Sequence, residues 1–199
     1  MTCVYIYRLT ADTGLAPCVK KGLLSLAVCK GGQIRGNKII HTGLRYWVGS
    51  KKDADYTHDN VYILGTYENK LLYFARVTQV VTMMKYFDGM SEGRTDAIYS
   101  MVRGELARNK HLLKENVHIE PERIAKDFAG EYVLLSDDYI YLGQEAVPND
   151  VVARYTAKFQ ETKRYEGDIA EIIVSECRKY ADGKKHTPHS PFQKIGGCK

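Results

Sequence analysis

Three groups of polar residues combine types and spacings that could do chemistry. Asp12-Thr13-Gly14 and Lys30-Gly31-Gly32-Gln33-Ile34-Arg35 set a carboxylate, an ammonium and a guanidinium beside glycines. Glycine lets a backbone approach a ligand closely, and Lys, Arg and backbone N–H groups hold phosphate. Arg94-Thr95-Asp96 sets an acid just before the apolar Ile98-Tyr99. Ser136-Asp137-Asp138 sets two acids between apolar stretches. Adjacent carboxylates can hold a proton, a sugar hydroxyl or a metal. Each group also has a plainer reading, as a solvated loop, a cap or a turn.

Familiar catalytic templates are missing. The sequence has no GxxxxGK[ST] loop, no GxGxxG after a strand, no HExxH and no GxSxG. His41, His58, His111, His118, His186 and His189 do not fall at helical ligand spacing. No CxxC accompanies Cys3, Cys18, Cys29, Cys177 and Cys198. The expectation is therefore neither a metal site nor a disulfide framework, and no particular cofactor. Cys29 reads as a small buried hydrophobe, or as a thiol activated by the neighbouring Lys30.

The elements that must position these groups are legible in part. The strongest signal is a hairpin, Asp59 to Val80, with strands over Val61–Leu64 and Leu71–Thr78 and a reversal at Tyr67-Glu68-Asn69-Lys70. Thr2 to Leu9 reads as a strand with Val4 and Ile6 on one face and Tyr5 and Tyr7 on the other. Leu23 to Cys29 fits a buried strand. Ile39-Ile40-His41 reads as a strand continuing towards Tyr46-Trp47-Val48, and Lys30 to Gly36 as a flexible cationic loop. Thr82 caps a short helix ending at Gly89, and Pro121 opens another. Glu131–Ser136 and Tyr139–Leu142 read as strands paired about a tight Asp137-Asp138 turn. Asp150 to Phe159 reads as helix. Asp168 to Tyr180 is a C-terminal helix with Ile169, Ile172, Ile173, Cys177 and Tyr180 on one face.

These elements give an α+β fold: a mixed or antiparallel sheet with peripheral helices and a C-terminal helix. At 199 residues, the chain fits one domain over 1–182 and an irregular tail over 183–199. No apolar run approaches the ~20 residues of a membrane span, and the start lacks the pattern of a signal peptide. The expectation is a soluble cytoplasmic protein with no membrane partner. Net charge is +5, too small to announce nucleic acid by itself. The fifteen tyrosines suit base stacking and ordinary sheets alike.

Together these segments resemble a known family. Asp12-x-Gly14-x-Ala16-Pro17, Ser25-Leu26-Ala27-x-Cys29-Lys30 and Ile34-Arg35 resemble the opening of the nucleotide modification associated domain, the second family of that name. Asp59 to Thr66, followed by Tyr73, Ala75 and Val77-Thr78, is similar to its central block. Val133-Leu134-Leu135-Ser136-Asp137 with Tyr139, Tyr141 and Gly143 is similar to its late strand pair. Gly183-x-x-His186-x-Pro188 loosely matches its tail. The chain departs from the pattern at His58, where the family has Gly, at Ala97, where it has Asn, and at Asp138, where it commonly has His.

The resemblance implies a protein directed at a nucleotide or nucleic-acid base, associated with modified-DNA metabolism or phage–host conflict. Its expected partner is a nucleotide or nucleic acid. On that reading Lys30 and Arg35 hold phosphate, and Asp12, Asp96 or Asp137 does acid–base work. Ser136 contacts the ligand, and Tyr139 or Tyr141 stacks on the base. The alternative is a non-catalytic reader of a modified base, or an interaction module. By analogy, the hairpin implies a small barrel of the pseudouridine-synthase-and-archaeosine-transglycosylase type as one form of the sheet.

Overall fold

The computed structural model describes residues 1–51, 60–109, 120–159 and 161–181. In chain order the strands are β1 (Cys3–Arg8), β2 (Cys18–Lys20), β3 (Leu23–Leu26), β4 (Gln33–Arg35), β5 (Lys38–Ile40), β6 (Val61–Tyr67) and β7 (Lys70–Arg76). They continue with β8 (Gln79–Thr82), β9 (Tyr99–Val102), β10 (Glu105–Arg108), β11 (Tyr132–Ser136), β12 (Asp138–Tyr141), β13 (Val147–Pro148) and β14 (Thr162–Glu166). The helices are α1 (Leu44–Gly49), α2 (Met83–Lys85), α3 (Pro121–Phe128), α4 (Asp150–Tyr155) and α5 (Gly167–Arg178).

The expected hairpin forms the middle of the main sheet. Glu68 and Asn69 both take positive φ, 48° and 62°, as a two-residue reversal matched to strand twist requires. β6 and β7 pair antiparallel, with an irregularity at Gly65/Thr66. The sheet runs β12-β7-β6-β1-β14, with β13 also on β7. β1 and β6 are parallel, and the other pairings are antiparallel. A second sheet runs β2-β3-β11-β8, and β4-β5 and β9-β10 form separate two-stranded ribbons.

The alternation read in β1 decides the layers. Val4 and Ile6 face α4 and α5, in a core with Tyr62, Leu64, Phe74, Ile140, Ile173 and Cys177. Tyr5 and Tyr7 face the other way, into a core shared with Leu24 and Leu26 of β3, Leu134 of β11 and Leu44 and Val48 of α1. The far side of the second sheet carries a third core, with Val81, Tyr86, Phe87, Tyr99 and Leu135. The second sheet is thus covered on both faces, and its inner strands β3 and β11 read as near-continuous apolar runs.

Several expectations are corrected. No barrel closes among the described strands: β12 and β14 end the main sheet, and β2 and β8 end the other. β11 and β12 are not a hairpin. β11 pairs with β3 and β8, while β12 pairs with β7. The chain crosses from one sheet to the other at Asp137, beside the place where β7 passes into β8. Strands that change sheets through a bend make such corners, and polar residues between two apolar strands look the same in a corner and in a hairpin. Side chains fasten the bend. Ser136 Oγ donates to the Asp138 carbonyl at 2.9 Å and accepts from its N–H at 3.2 Å. The Asp137 N–H donates to Thr78 Oγ1 at 3.3 Å.

Leu44–Gly49 is a helix, not the continuing strand, because Thr42-Gly43 turns the chain out of β5. In α5 the buried residues are Ala170, Ile173 and Cys177. Ile169 and Ile172 are 40% and 51% exposed, so the helix is rotated from the expected face. Thr82 caps a short helix as read, its Oγ1 accepting from the Lys85 N–H, but the α-helix ends at Lys85 and a wider π turn over Tyr86–Met90, non-helical at Asp88 and Gly89, takes the place of its expected end. Cys3, Cys18, Cys29 and Cys177 are thiols rather than halves of disulfides. His58, Asp59, His111, His118 and the tail from 182, with His186 and His189, lie outside the described residues.

Candidate functional site

A cleft of about 420 Å³ opens beside the end of β1. Lys30 and Gln33 form one wall, Thr42 and Trp47 a second, and Glu161 and Thr162 a third. The loop that carries Lys30 is packed, which corrects the expectation of a flexible segment. Cys29 and Lys30 take left-handed backbone, φ 55° and 48°. Gly43 lies directly on the Lys30 and Gly31 backbone, where any β-carbon would overlap. The Lys30 carbonyl accepts from the Arg45 N–H at 3.2 Å.

A buried arginine holds this wall in place. Arg45 is fully buried and donates to the carbonyls of Ala27, Tyr132 and Asp127. Its Nε has no hydrogen-bond partner among the described residues, and burial pulls its guanidinium pKa down, against the Asp127 charge. Asp127 in turn accepts from the Cys29 N–H at 2.6 Å and the Tyr99 hydroxyl at 2.9 Å. This network ties α1, α3 and β11 to the cleft loop.

Behind the cleft lies a second polar group. The Lys30 ammonium sits 5.0 Å from the centre of the Tyr7 ring, within the range of a cation–π contact. Tyr7 and Tyr73 join hydroxyl to hydroxyl at 2.6 Å, and the Tyr141 hydroxyl donates to Asp12. Burial pushes the Asp12 carboxyl above the usual carboxylate range, against the pull of the Tyr141 and Gly14 bonds. Burial also raises Tyr7 and Tyr73, and the Asp12 charge adds to both. Gly65 makes room for this arrangement, since a β-carbon there would overlap the Tyr73 ring.

Asp96 belongs to a third network. It accepts from Ser25 Oγ at 2.6 Å and from the Tyr86 hydroxyl at 2.9 Å, and lies 3.5 Å from Arg94 Nε. Arg94 also donates to the carbonyls of Lys20, Cys18 and Leu23. Burial raises the Asp96 carboxyl, opposed by Arg94, Ser25 and Tyr86. The Thr95 hydroxyl donates to the Gly14 carbonyl at 2.6 Å, joining this network to the Asp12 loop.

The structure therefore brings together some of the expected residues and separates others. Lys30 lines the cleft, and Asp12 and Tyr141 stand behind it, past Tyr7. Arg35 is exposed on β4, on the same strand face as Gln33. Tyr139 is buried, at 4% exposure. Tyr141, Ser136 and Asp96 are fully buried. Asp137 is exposed at the corner. Its neighbour Asp138 is the engaged acid, accepting a two-bond fork from Arg178 at 2.7 Å and a bond from Arg76 at 2.9 Å. Those bonds hold its carboxyl down at about 2.

Sequence reasoning missed Trp47, Glu161, Arg45, Asp127 and the Tyr7–Tyr73 pair. A lone tryptophan near glycines was an available signal for the first. Nothing local marked the others, whose partners lie far away in the chain. Among the described residues, no group of three or more His, Cys, Asp or Glu side chains is placed to hold a metal. No described helix is long and apolar enough to cross a membrane.

Fold and cleft define an α+β fold with two sheets and a cleft lined by Lys30 and Trp47 at one end. The chain matches the model of nucleotide modification associated domain 2 over residues 1–194 and belongs to that family. Comparison with curated proteins and with solved structures returns no match. The family ties the chain to nucleotide modification systems.

Proposed function

We propose that the chain binds a nucleotide, free or within nucleic acid, in the Lys30–Trp47 cleft and reads or acts on its base. The observation that carries this is Lys30 itself. Its ammonium stands on the wall of the cleft with no acidic partner among the described residues, and Trp47, 38% exposed, stands on the adjoining wall. A cation with no acidic partner among the described residues suits a phosphate, and an exposed indole suits a base face. Gln33 and Thr42 add amide and hydroxyl groups for a sugar or base edge. Arg35, further along β4, suits the phosphate of a neighbouring nucleotide in a strand.

The structure supports binding more directly than turnover, because no carboxylate of the expected catalytic set opens into the cleft. One observation favours an enzyme. Asp12, with its raised carboxyl, lies behind Tyr7 and Lys30, where a hydroxyl could pass a proton. Calorimetric titration with nucleoside monophosphates and single-stranded oligonucleotides tests the proposal. Binding is expected, weakened at least about tenfold by Lys30→Gln, as for loss of a charge-assisted bond. Unchanged affinity in that variant refutes the site. A substrate mass change that disappears in Asp12→Asn, with binding retained, selects the enzyme over the reader.

A further inference from the structure

The cationic face of the cleft extends along β1. Tyr5 and Tyr7 share one face of that strand, two residues or about 7 Å apart, and each carries a cation. The Lys30 ammonium stands over the Tyr7 ring, in the cleft. Over the Tyr5 ring stand the Lys51 ammonium, at 5.7 Å, and the Arg164 guanidinium, at 5.8 Å. The flanks step along with the strand. On β14, Thr162 lies opposite Tyr7 and lines the cleft, and Arg164 lies opposite Tyr5, so both side chains take the same face of the sheet. On the other flank, Trp47 of α1 lines the cleft, and Lys51 follows one turn later, its N–H on the Val48 carbonyl.

Resting on the nucleotide reading above, we propose that the cleft takes its nucleotide as part of a single strand, and that Lys51 and Arg164 hold the next phosphate. Two like charges over one ring repel each other, and an anion between them relieves the repulsion. Lys51 is half-buried and has no acidic partner among the described residues. Arg164 is 46% exposed. It shares its charge with Glu166 through Nη2 and bonds Cys3 Sγ through Nε, so Lys51 is the stronger phosphate holder of the two. A second cationic position one ring further along suits the phosphate of a neighbouring nucleotide. The β-phosphate of the same nucleotide would lie closer to Lys30. Stacking on Trp47 needs an unpaired base face, which a single strand offers and a duplex does not.

The test is calorimetry on the full chain, comparing each nucleoside monophosphate with a four-residue, 5′-phosphorylated single strand of the same base. The strand is expected to bind at least about tenfold tighter, as for one further charge-assisted contact. Lys51→Gln should remove most of that gain, and Lys51→Arg, which keeps the charge, should retain it. The slope of log affinity against log salt for the strand should flatten by about 0.7 in Lys51→Gln, the share of one phosphate. Lys30→Gln should weaken monomer and strand alike. A strand no tighter than its monomer, or a gain that survives Lys51→Gln, overturns this inference and leaves the nucleotide reading standing. So does a nucleoside triphosphate that gains as much as the strand and loses it in Lys51→Gln, because the second phosphate would then belong to the same nucleotide. Absence of all nucleotide binding overturns both.

Discussion

Asp138→Asn measures how firmly α5 is fastened to the main sheet. In the folded chain Arg178 grips both carboxylate oxygens of Asp138 at 2.7 Å, and Arg76 adds a bond at 2.9 Å. The Arg178 guanidinium also lies over the Tyr62 and Phe74 rings, at 5.8 and 5.5 Å. These bonds lower the carboxyl from 3.8 to about 2. At ~1.36 kcal/mol per pKa unit, the shift corresponds to roughly 2.5 kcal/mol. Asp138, Arg76 and Arg178 are 29%, 28% and 33% exposed, so solvent screening trims the contribution to about 1–2 kcal/mol. A depressed carboxyl stabilises the fold above its unfolded pKa, and that contribution is lost as pH falls towards the folded value. Urea unfolding from pH 7 down to pH 3 reads it. Asp138→Asn should be about 1–2 kcal/mol less stable at pH 7, with the gap closing as acid protonates the wild type. A gap that stays constant with pH, or no gap at pH 7, would refute this account of the fork.

Three further outcomes follow from the same geometry. Gly65→Ala forces a β-carbon onto the Tyr73 ring and should lower stability by about 1–3 kcal/mol in urea unfolding, as overpacking does. Tyr141→Phe removes the hydroxyl that offsets the burial of Asp12, so the folded-state carboxyl rises further. Ionising Asp12 then opposes folding more strongly, so the roughly 1–3 kcal/mol deficit should be larger at pH 7 than at pH 4. Arg45→Met leaves buried carbonyls and Asp127 without their cation and should cost about 3–5 kcal/mol. That loss should appear as a lower melting temperature with or without nucleotide.

What the sequence made legible, and what it hid, follows from the range of the interactions. The β6–β7 hairpin and the Thr82 cap are settled within a few residues, and both were readable. The faces of β1 were readable because Val4, Ile6, Tyr5 and Tyr7 alternate. The Ser136–Asp138 corner was not, since hairpin and corner share a local pattern and differ in partners about sixty residues away, at Thr78. The face of α5 was misjudged because Ile169, Ile172 and Ile173 were read together as the buried face, whereas Ala170 and Cys177 join Ile173 there. Lys30 was found from its glycines. Trp47 and Glu161 entered the site only when α1 and β14 were placed around that loop. Asp12 and Asp96 were singled out as acids for chemistry, yet Asp12 is buried against the Tyr141 hydroxyl and Asp96 against those of Ser25 and Tyr86, partners that no local pattern reveals.

The most direct test of the cleft uses its own reporter. Trp47 is the single tryptophan of the chain, and it lines the cleft with Lys30. Titrating the protein with a nucleoside monophosphate should quench Trp47 fluorescence to saturation, and Lys30→Gln should move the titration to at least about tenfold higher concentration. Saturable binding seen by calorimetry that leaves Trp47 emission unchanged, and is indifferent to Lys30→Gln, would place the nucleotide elsewhere and contradict the account.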